Sequence, residues 1–193
     1  MIIGITGGTG CGKTTLLDLI RAQGGLVLDC DEIYHNLLKT DPALLQSIEN
    51  RFSGTVENGR LQRKKLGAIV FADPQALEDL NRITHHAITA DVLRQLAAEP
   101  ALAAIDAIGL FESGLNGLCD VTVAITAPTE DRIRRLMVRD GISMDYARSR
   151  IDAQPSNEDF SARCDHTLEN SGDIHVFQSN CLAFLRKIGI MEL

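Results

Sequence analysis

The residues able to do chemistry begin almost at the start of the chain. Gly7 to Thr14 read GGTGCGKT, with four residues between the first glycine and a Gly-Lys-Thr triplet. That spacing lets a backbone curl around phosphate oxygens and then start a helix beneath them. Glycines permit the curl, the helix start adds a positive dipole end, and Lys13 is a mobile charge for β- and γ-phosphates. The Thr14 hydroxyl is placed to ligate Mg²⁺. Gly8, Thr9, Gly10, Cys11, Gly12, Lys13, Thr14 and Thr15 are therefore the expected nucleotide-binding residues. The guanine-reading segment Asn-Lys-x-Asp is absent from the sequence, so ATP is the expected nucleotide.

Acidic and basic groups suited to phosphoryl transfer follow. Asp29 and Asp31 flank Cys30 where an apolar run, LVLD, ends. A carboxylate at a strand end suits the proton of an acceptor hydroxyl, and Asp31 is the expected catalytic one; it is equally placed to cap the helix that follows. Asp29 reads as structural or as an indirect metal partner. Arg132, Arg135 and Arg139 recur at i, i+3 and i+7, which puts them on one helix face. Arginines on such a face can bind the equatorial oxygens of a transferring phosphoryl group, or lie solvated beside Glu130, Asp131 and Asp140. For Arg132, Arg134 and Arg148 the solvated reading is the expectation. Asp106 fits either a water-mediated Mg²⁺ contact or a strand-end turn. Cys11, at a helix N-terminus, is expected to have a lowered pKa and to be open to oxidation or alkylation.

The elements that must hold these groups are legible in the pattern. Apolar runs at 2–6, 26–29, 102–108, 119–127 and 165–170 read as strands. Helical periodicity covers 13–23, 129–140, 143–153 and 173–188. Asp41-Pro42 and Asp73-Pro74 each start a further helix, the second running to about residue 97. The strand–loop–helix–strand opening predicts α/β: a five-stranded parallel sheet flanked by helices. Residues 31–98 then form a helical insertion and 129–155 a smaller helical piece. The core comprises 1–30, 99–128 and 156–193.

Nineteen basic and 26 acidic residues leave a net charge of −7, which disfavours nucleic acid and anionic membranes as partners. No apolar run nears the roughly 18 residues of a membrane helix, and the first ten residues do not read as a signal peptide. Five cysteines without a Cys-x-x-Cys pair fit a reducing cytoplasm and argue against zinc.

The ordered set of segments resembles the dephospho-coenzyme A kinases along nearly the whole chain. GITGGTGCGKTT and LVLDCD open the match. Leu61-Gln62-Arg63 with Leu66 and Val70-Phe71, then Leu80-Asn81 with Ile83 and His85, continue it. Leu110-Phe111-Glu112-Ser113-Gly114-Leu115, Arg135-Leu136 with Arg139-Asp140-Gly141, Arg150-Ile151 with Gln154, and Glu169-Asn170 with Gly172 complete it. The resemblance implies a P-loop kinase core, a helical acceptor domain over 31–98 and a mobile lid over 129–155. It implies transfer from ATP to the ribose 3′-hydroxyl of dephospho-coenzyme A, with Mg²⁺ as cofactor. Lys13, Asp31 and Arg139 are then catalytic; Arg135, Arg139 and Asn170 join the ATP site, and Asp31, Arg63, His85 and Glu112 the acceptor site. A monomer or small homo-oligomer is expected. The sequence departs from the family at His86, where a proline is usual, at Ile108-Gly109, and at Arg132, where a glutamine is usual. Two other readings are open: a different small-molecule or nucleotide kinase on the same core, or a catalytically silent ATP-binding regulatory module.

Overall fold

A computed structural model describes residues 1–190. The elements in chain order are β1 (Ile2–Thr6), α1 (Lys13–Ala22), β2 (Leu26–Asp29), α2 (Cys30–Thr40), α3 (Pro42–Arg51), β3 (Val56–Glu57), β4 (Arg60–Leu61), α4 (Arg63–Val70) and α5 (Pro74–Leu96). They continue with β5 (Ala103–Asp106), a 3-10 turn at Leu115–Leu118, β6 (Val121–Thr126), α6 (Thr129–Asp140), α7 (Met144–Asp152), α8 (Asn157–Arg163), β7 (His166–Glu169) and α9 (Ile174–Lys187). The chain divides into two compact units, one of Met1–Leu28 with the residues from Pro100 onward, the other Asp29–Glu99.

The first unit is built on a five-stranded parallel sheet of order β2-β5-β1-β6-β7. β1 sits in the middle, with Ile3 in register with Ala104 on one side and Val121 on the other. Its side chains are buried on both faces of the sheet after the first residue, which explains the near-continuous apolar run IIGIT. Ile3 and Ile5 point to one face and are wholly buried with Leu16, Leu17 and Ile20 of α1 and Phe177, Phe184 and Leu185 of α9. Each such side chain contributes about 1.5–3 kcal/mol of apolar burial. Because β1, β5 and β6 run parallel, their carboxyl ends lie at one edge of the sheet. The loop after Thr6, Asp106 at the end of β5 and the chain after Thr126 are delivered there together.

The second unit packs α2, α3, α4 and α5 around Leu38, Leu44, Leu45, Ile48, Phe52, Leu66, Val70 and Ala76. Three of its helices, α2, α3 and α5, start on side-chain caps. Asp41 accepts from the amides of Ala43 and Leu44, with Pro42 at the first helical position, and Asp73 accepts from Gln75 ahead of Pro74. The caps stop α2 from running into α3 and set the 23-residue α5.

The expected strands and helices are present, with shorter ends at 103–106 and 121–126. Two elements are additions. β3 and β4 form an antiparallel hairpin, turned at Asn58 and Gly59 with φ of 51° and 71°. Asn-Gly between short apolar runs is the hairpin signal that a purely helical reading of 31–98 passed over. Helix α8 starts at a capping box, Ser156 and Asp159 each bonding the other's backbone amide.

Candidate active site

The loop Gly7–Gly12 joins the central strand to α1. Gly12 caps the helix with φ 93°, and a Cβ there would lie 2.2 Å from Asn170 Nδ2. Only glycine permits that conformation and that approach. The first turn of α1 carries no acidic side chain, so its exposed amides and dipole end are open to an anion. Lys13 Nζ donates to Gly7 O at 2.9 Å and stands 3.7 Å from Asp106 Oδ1. The Thr14 side chain starts the helix at an exposed position.

The loop's carbonyls are held from one side by three residues. Arg132 Nε donates to Thr9 O at 2.9 Å. Arg135 Nη1 donates to Gly10 O and Cys11 O at 3.2 and 3.3 Å. Asn170 Nδ2 donates to Cys11 O at 2.7 Å, while Arg135 Nη2 in turn reaches Asn170 O and Oδ1. In a trans peptide the N–H opposes the C=O, so fixing these carbonyls turns the amides of Gly10, Cys11 and Gly12 the other way. Cys11 N is used within the loop, to Gly8 O; among the described residues no hydrogen bond engages those of Gly10 and Gly12. Gln154 completes the clamp: its Oε1 accepts from Thr9 N at 2.8 Å and from Arg132 Nη2 at 3.2 Å.

Arg132 corrects one expectation. It is 2% exposed, not solvated, and a Cβ on Gly8 would lie 2.1 Å from its Nη2. Its spacing from Arg135 was the usable signal: i and i+3 put both on the helix face that meets the loop. Arg134 and Arg148 do take the solvated arrangement, paired with Asp131 and Glu130. Gln154 was visible only as part of a family segment, because the contact it makes lies 145 residues away in sequence.

Cys11 corrects another. It is fully buried in the core, and desolvation raises its thiol pKa despite the nearby charges of Arg132, Lys13 and Arg135. Burial overrides the helix-end effect because no solvent reaches the sulfur to stabilise a thiolate. The cap of α2 is likewise Asp29, which accepts from the amides of Asp31 and Glu32 at 2.9 and 3.0 Å. Asp31 is therefore not the cap. It stands in the first turn, exposed, and among the described residues no hydrogen bond or ion pair engages its carboxylate.

The remaining candidates are dispersed. Arg139 is exposed and forked onto Asp140, which also binds Arg150 at 2.7 Å. Glu112 pairs with Arg163, whose guanidinium lies 4.4 Å over the Phe111 ring. Arg63 opens α4 and His85 sits half-buried within α5. The structure thus gathers Gly8–Thr15, Asp106, Arg132, Arg135, Gln154 and Asn170 around one loop. It keeps Arg139 and Glu112 in ion pairs on the same unit. Asp31, Arg63 and His85 belong to the second unit.

Known proteins resemble the chain along its length. The family described as dephospho-CoA kinase matches residues 1–175. A dephospho-CoA kinase of Syntrophotalea carbinolica is 34% identical over 194 residues, covering 97% of this chain and 92% of that protein. A solved protein from Thermus thermophilus superposes with a TM-score of 0.82 at 32% identity, covering 97% of both chains. The solved dephospho-CoA kinase from Campylobacter jejuni does so with a TM-score of 0.67 at 28% identity, covering 97% of this chain and 96% of that one.

Proposed function

The chain belongs to the dephospho-CoA kinase family and is an ATP-dependent kinase of coenzyme A biosynthesis, and from that premise we propose which of its residues carry out the transfer. The reaction moves the γ-phosphoryl group of ATP to the ribose 3′-hydroxyl of dephospho-CoA, releasing ADP. The clamped loop is the observation that carries this reading. Its carbonyls are bound on one side by Arg132, Arg135 and Asn170, so its amides form a cradle before any ligand arrives. Such preorganisation spares the reorganisation that would otherwise oppose charge stabilisation.

On binding, Lys13 exchanges Gly7 O for the β- and γ-phosphate oxygens. The α1 dipole and the amides of Gly10 and Gly12 hold the β-phosphate. Asp31 accepts the proton of the 3′-hydroxyl as its oxygen bonds to phosphorus, and the bond to the ADP oxygen breaks. Arg139 leaves Asp140 and places its two-pronged guanidinium on the transferring group, as residues 129–155 close as a lid; residues 31–98 hold the acceptor through Arg63, His85 and Glu32's neighbour Asp31, with Glu112 contributing from the core. Closure excludes water and suppresses hydrolysis of ATP.

The donor set suits Mg²⁺. Among the described residues no group of three or more His, Cys, Asp or Glu could hold a metal. A hydroxyl at Thr14 and a carboxylate at Asp106, beside Lys13, are what a hard cation needs when water and phosphates supply its other ligands. The ion would neutralise charge on the phosphates. The five unpaired thiols support a cytoplasmic setting, and the net charge of −7 is unfavourable to nucleic acid. We take the working form to be a monomer or small homo-oligomer.

The test is ADP release coupled to an optical readout, with ATP, Mg²⁺ and dephospho-CoA, using adenosine and AMP as control acceptors and mass to identify the product. Release that depends on dephospho-CoA, with coenzyme A as product, is expected. ATP binding without turnover of any acceptor would instead favour a silent regulatory module.

A further inference from the structure

Arg132 does more than tie down the loop. It is the one arginine among the buried residues of α6, and its side-chain hydrogen bonds go to neutral groups alone, Thr9 O and Gln154 Oε1. The guanidinium lies directly behind the loop: a Cβ on Gly8 would fall 2.7 Å from its Cζ and 3.1 Å from Gln154 Oε1.

No carboxylate answers this charge. Among the described residues neither Arg132 nor Arg135 makes an ion pair, and Lys13, the third cation at the loop, stands 3.7 Å from Asp106. The acids beside Arg132 on α6, Glu130 and Asp131, are engaged by Arg148 and Arg134. The first turn of α1 carries no acidic side chain. The Cys11 thiol is no substitute, since burial raises its pKa and keeps it protonated. Enclosing a cation without a partner is costly, and arginine is almost never buried unless paired. The cost falls when an anion arrives close by, and the helix end in front of Arg132 is a place for an anion. So little water reaches the guanidinium that its attraction for that anion is weakly screened.

We propose that Arg132 is the standing counter-charge of the nucleotide's triphosphate. It touches no ligand atom; its cation acts through the Gly8–Thr9 backbone and raises affinity according to the number of phosphates a ligand carries. The proposal rests on the reading of Gly8–Thr15 as the phosphate loop. Gln154 is what keeps the charge available. Its oxygen accepts from both Thr9 N and Arg132, so it fixes the guanidinium against the loop without neutralising it. A glutamate of the same shape would hold the loop equally and cancel the charge.

That difference separates a charge from a mere clamp. Calorimetric titration of ATP, inorganic tripolyphosphate and AMP into the full chain tests it, using Gln154→Glu, Arg132→Gln and Arg132→Lys. Gln154→Glu is expected to melt no lower than the unmodified protein, because it gives a buried cation its partner. It should nevertheless bind ATP and tripolyphosphate about tenfold more weakly, with AMP within about twofold. Arg132→Gln should show the same pattern, and Arg132→Lys should recover much of the loss, although each retains a donor for Thr9 O. Arg134→Gln, on the solvated side of the helix, is the control for bulk charge and should stay within about twofold for ATP. Unchanged or tighter ATP binding by Gln154→Glu overturns the proposal, leaving Arg132 a clamp. So do equal affinities for Arg132→Lys and Arg132→Gln, an equal loss for AMP, or an equal effect of Arg134→Gln. Lys13→Ala tells the two readings apart: if it binds ATP as the unmodified protein does, the phosphate-loop reading fails first. If it loses ATP while Gln154→Glu and Arg132→Gln do not, only the counter-charge fails.

Discussion

Arg132 shows how much a single side chain carries at the residue scale. Its guanidinium binds a loop carbonyl and Gln154 while 2% exposed, so truncation takes the Arg132 donor from Thr9 O, leaves Gln154 with Thr9 N alone, and opens a void. Arg132→Ala is expected to cost about 1.5–3 kcal/mol of stability and to raise KM for ATP, because the loop it holds is the proposed phosphate cradle. Arg132→Gln, which restores the residue usual in the family, retains a donor for Thr9 O and should fall between the two. Thermal melts and ATP kinetics on the pair check this; equal melting temperatures for Arg132→Ala and the unmodified protein would mean that Arg132 does not clamp the loop. Asp31 gives the complementary case. Its carboxylate has no partner among the described residues, so nothing structural depends on it. Asp31→Asn should lower kcat by about 10²–10⁴ with ATP affinity and melting temperature nearly unchanged. A concurrent loss of stability would point to a structural role.

At the scale of elements, the join between α6 and α7 rests on charge. Asp140, the last residue of α6, binds Arg139 beside it and Arg150 of α7. The hydrogen bonds from Arg139 and then Arg150 hold its pKa down to about 2, from an ordinary 3.8. A carboxylate depressed in the folded state stabilises above its unfolded pKa and stops doing so as pH falls through the folded one. The melting-temperature advantage of the unmodified protein over Asp140→Asn should thus be complete above about pH 4 and shrink toward about pH 2. A difference independent of pH across that window would refute the ionic origin. The same pair bears on activity, since Arg139 must exchange Asp140 for phosphoryl oxygens if it is to act in transfer.

The molecule as a whole is two units with separate apolar cores, and its thiols report on that packing. Cys11 and Cys181 are fully buried, and burial pushes Cys181 up to about 12. Cys119 and Cys164 are half-buried, yet desolvation raises each to about 11. Thiolate is the reactive form, so the native protein should react only slowly with a thiol reagent near pH 8, and unfolding should release all five thiols to rapid reaction. Fast labelling of Cys11 in the native state, blocked by ATP, would mean that its thiol is accessible and ionised. ATP should slow labelling only through added stability.

The sequence alone determined what is encoded locally. Strands such as IIGIT are nearly all apolar because both faces of the sheet bury them, and Gly7 to Thr14 match a phosphate loop by spacing. Asp-Pro pairs mark helix starts at α3 and α5. Even the missed hairpin and α8 had local signals, Asn58-Gly59 and the Ser156–Asp159 box. What only the tertiary structure decided were relations between residues far apart in the chain. Arg132 is a buried clamp and not a surface charge because the loop it meets lies 123 residues away. Cys11 is buried in the same apolar cluster as residues of α1, α9 and the sheet, and Asp29, two residues earlier, takes the cap position from Asp31. Spacing along a helix reports which face a side chain occupies; what that face meets is set by packing across the fold.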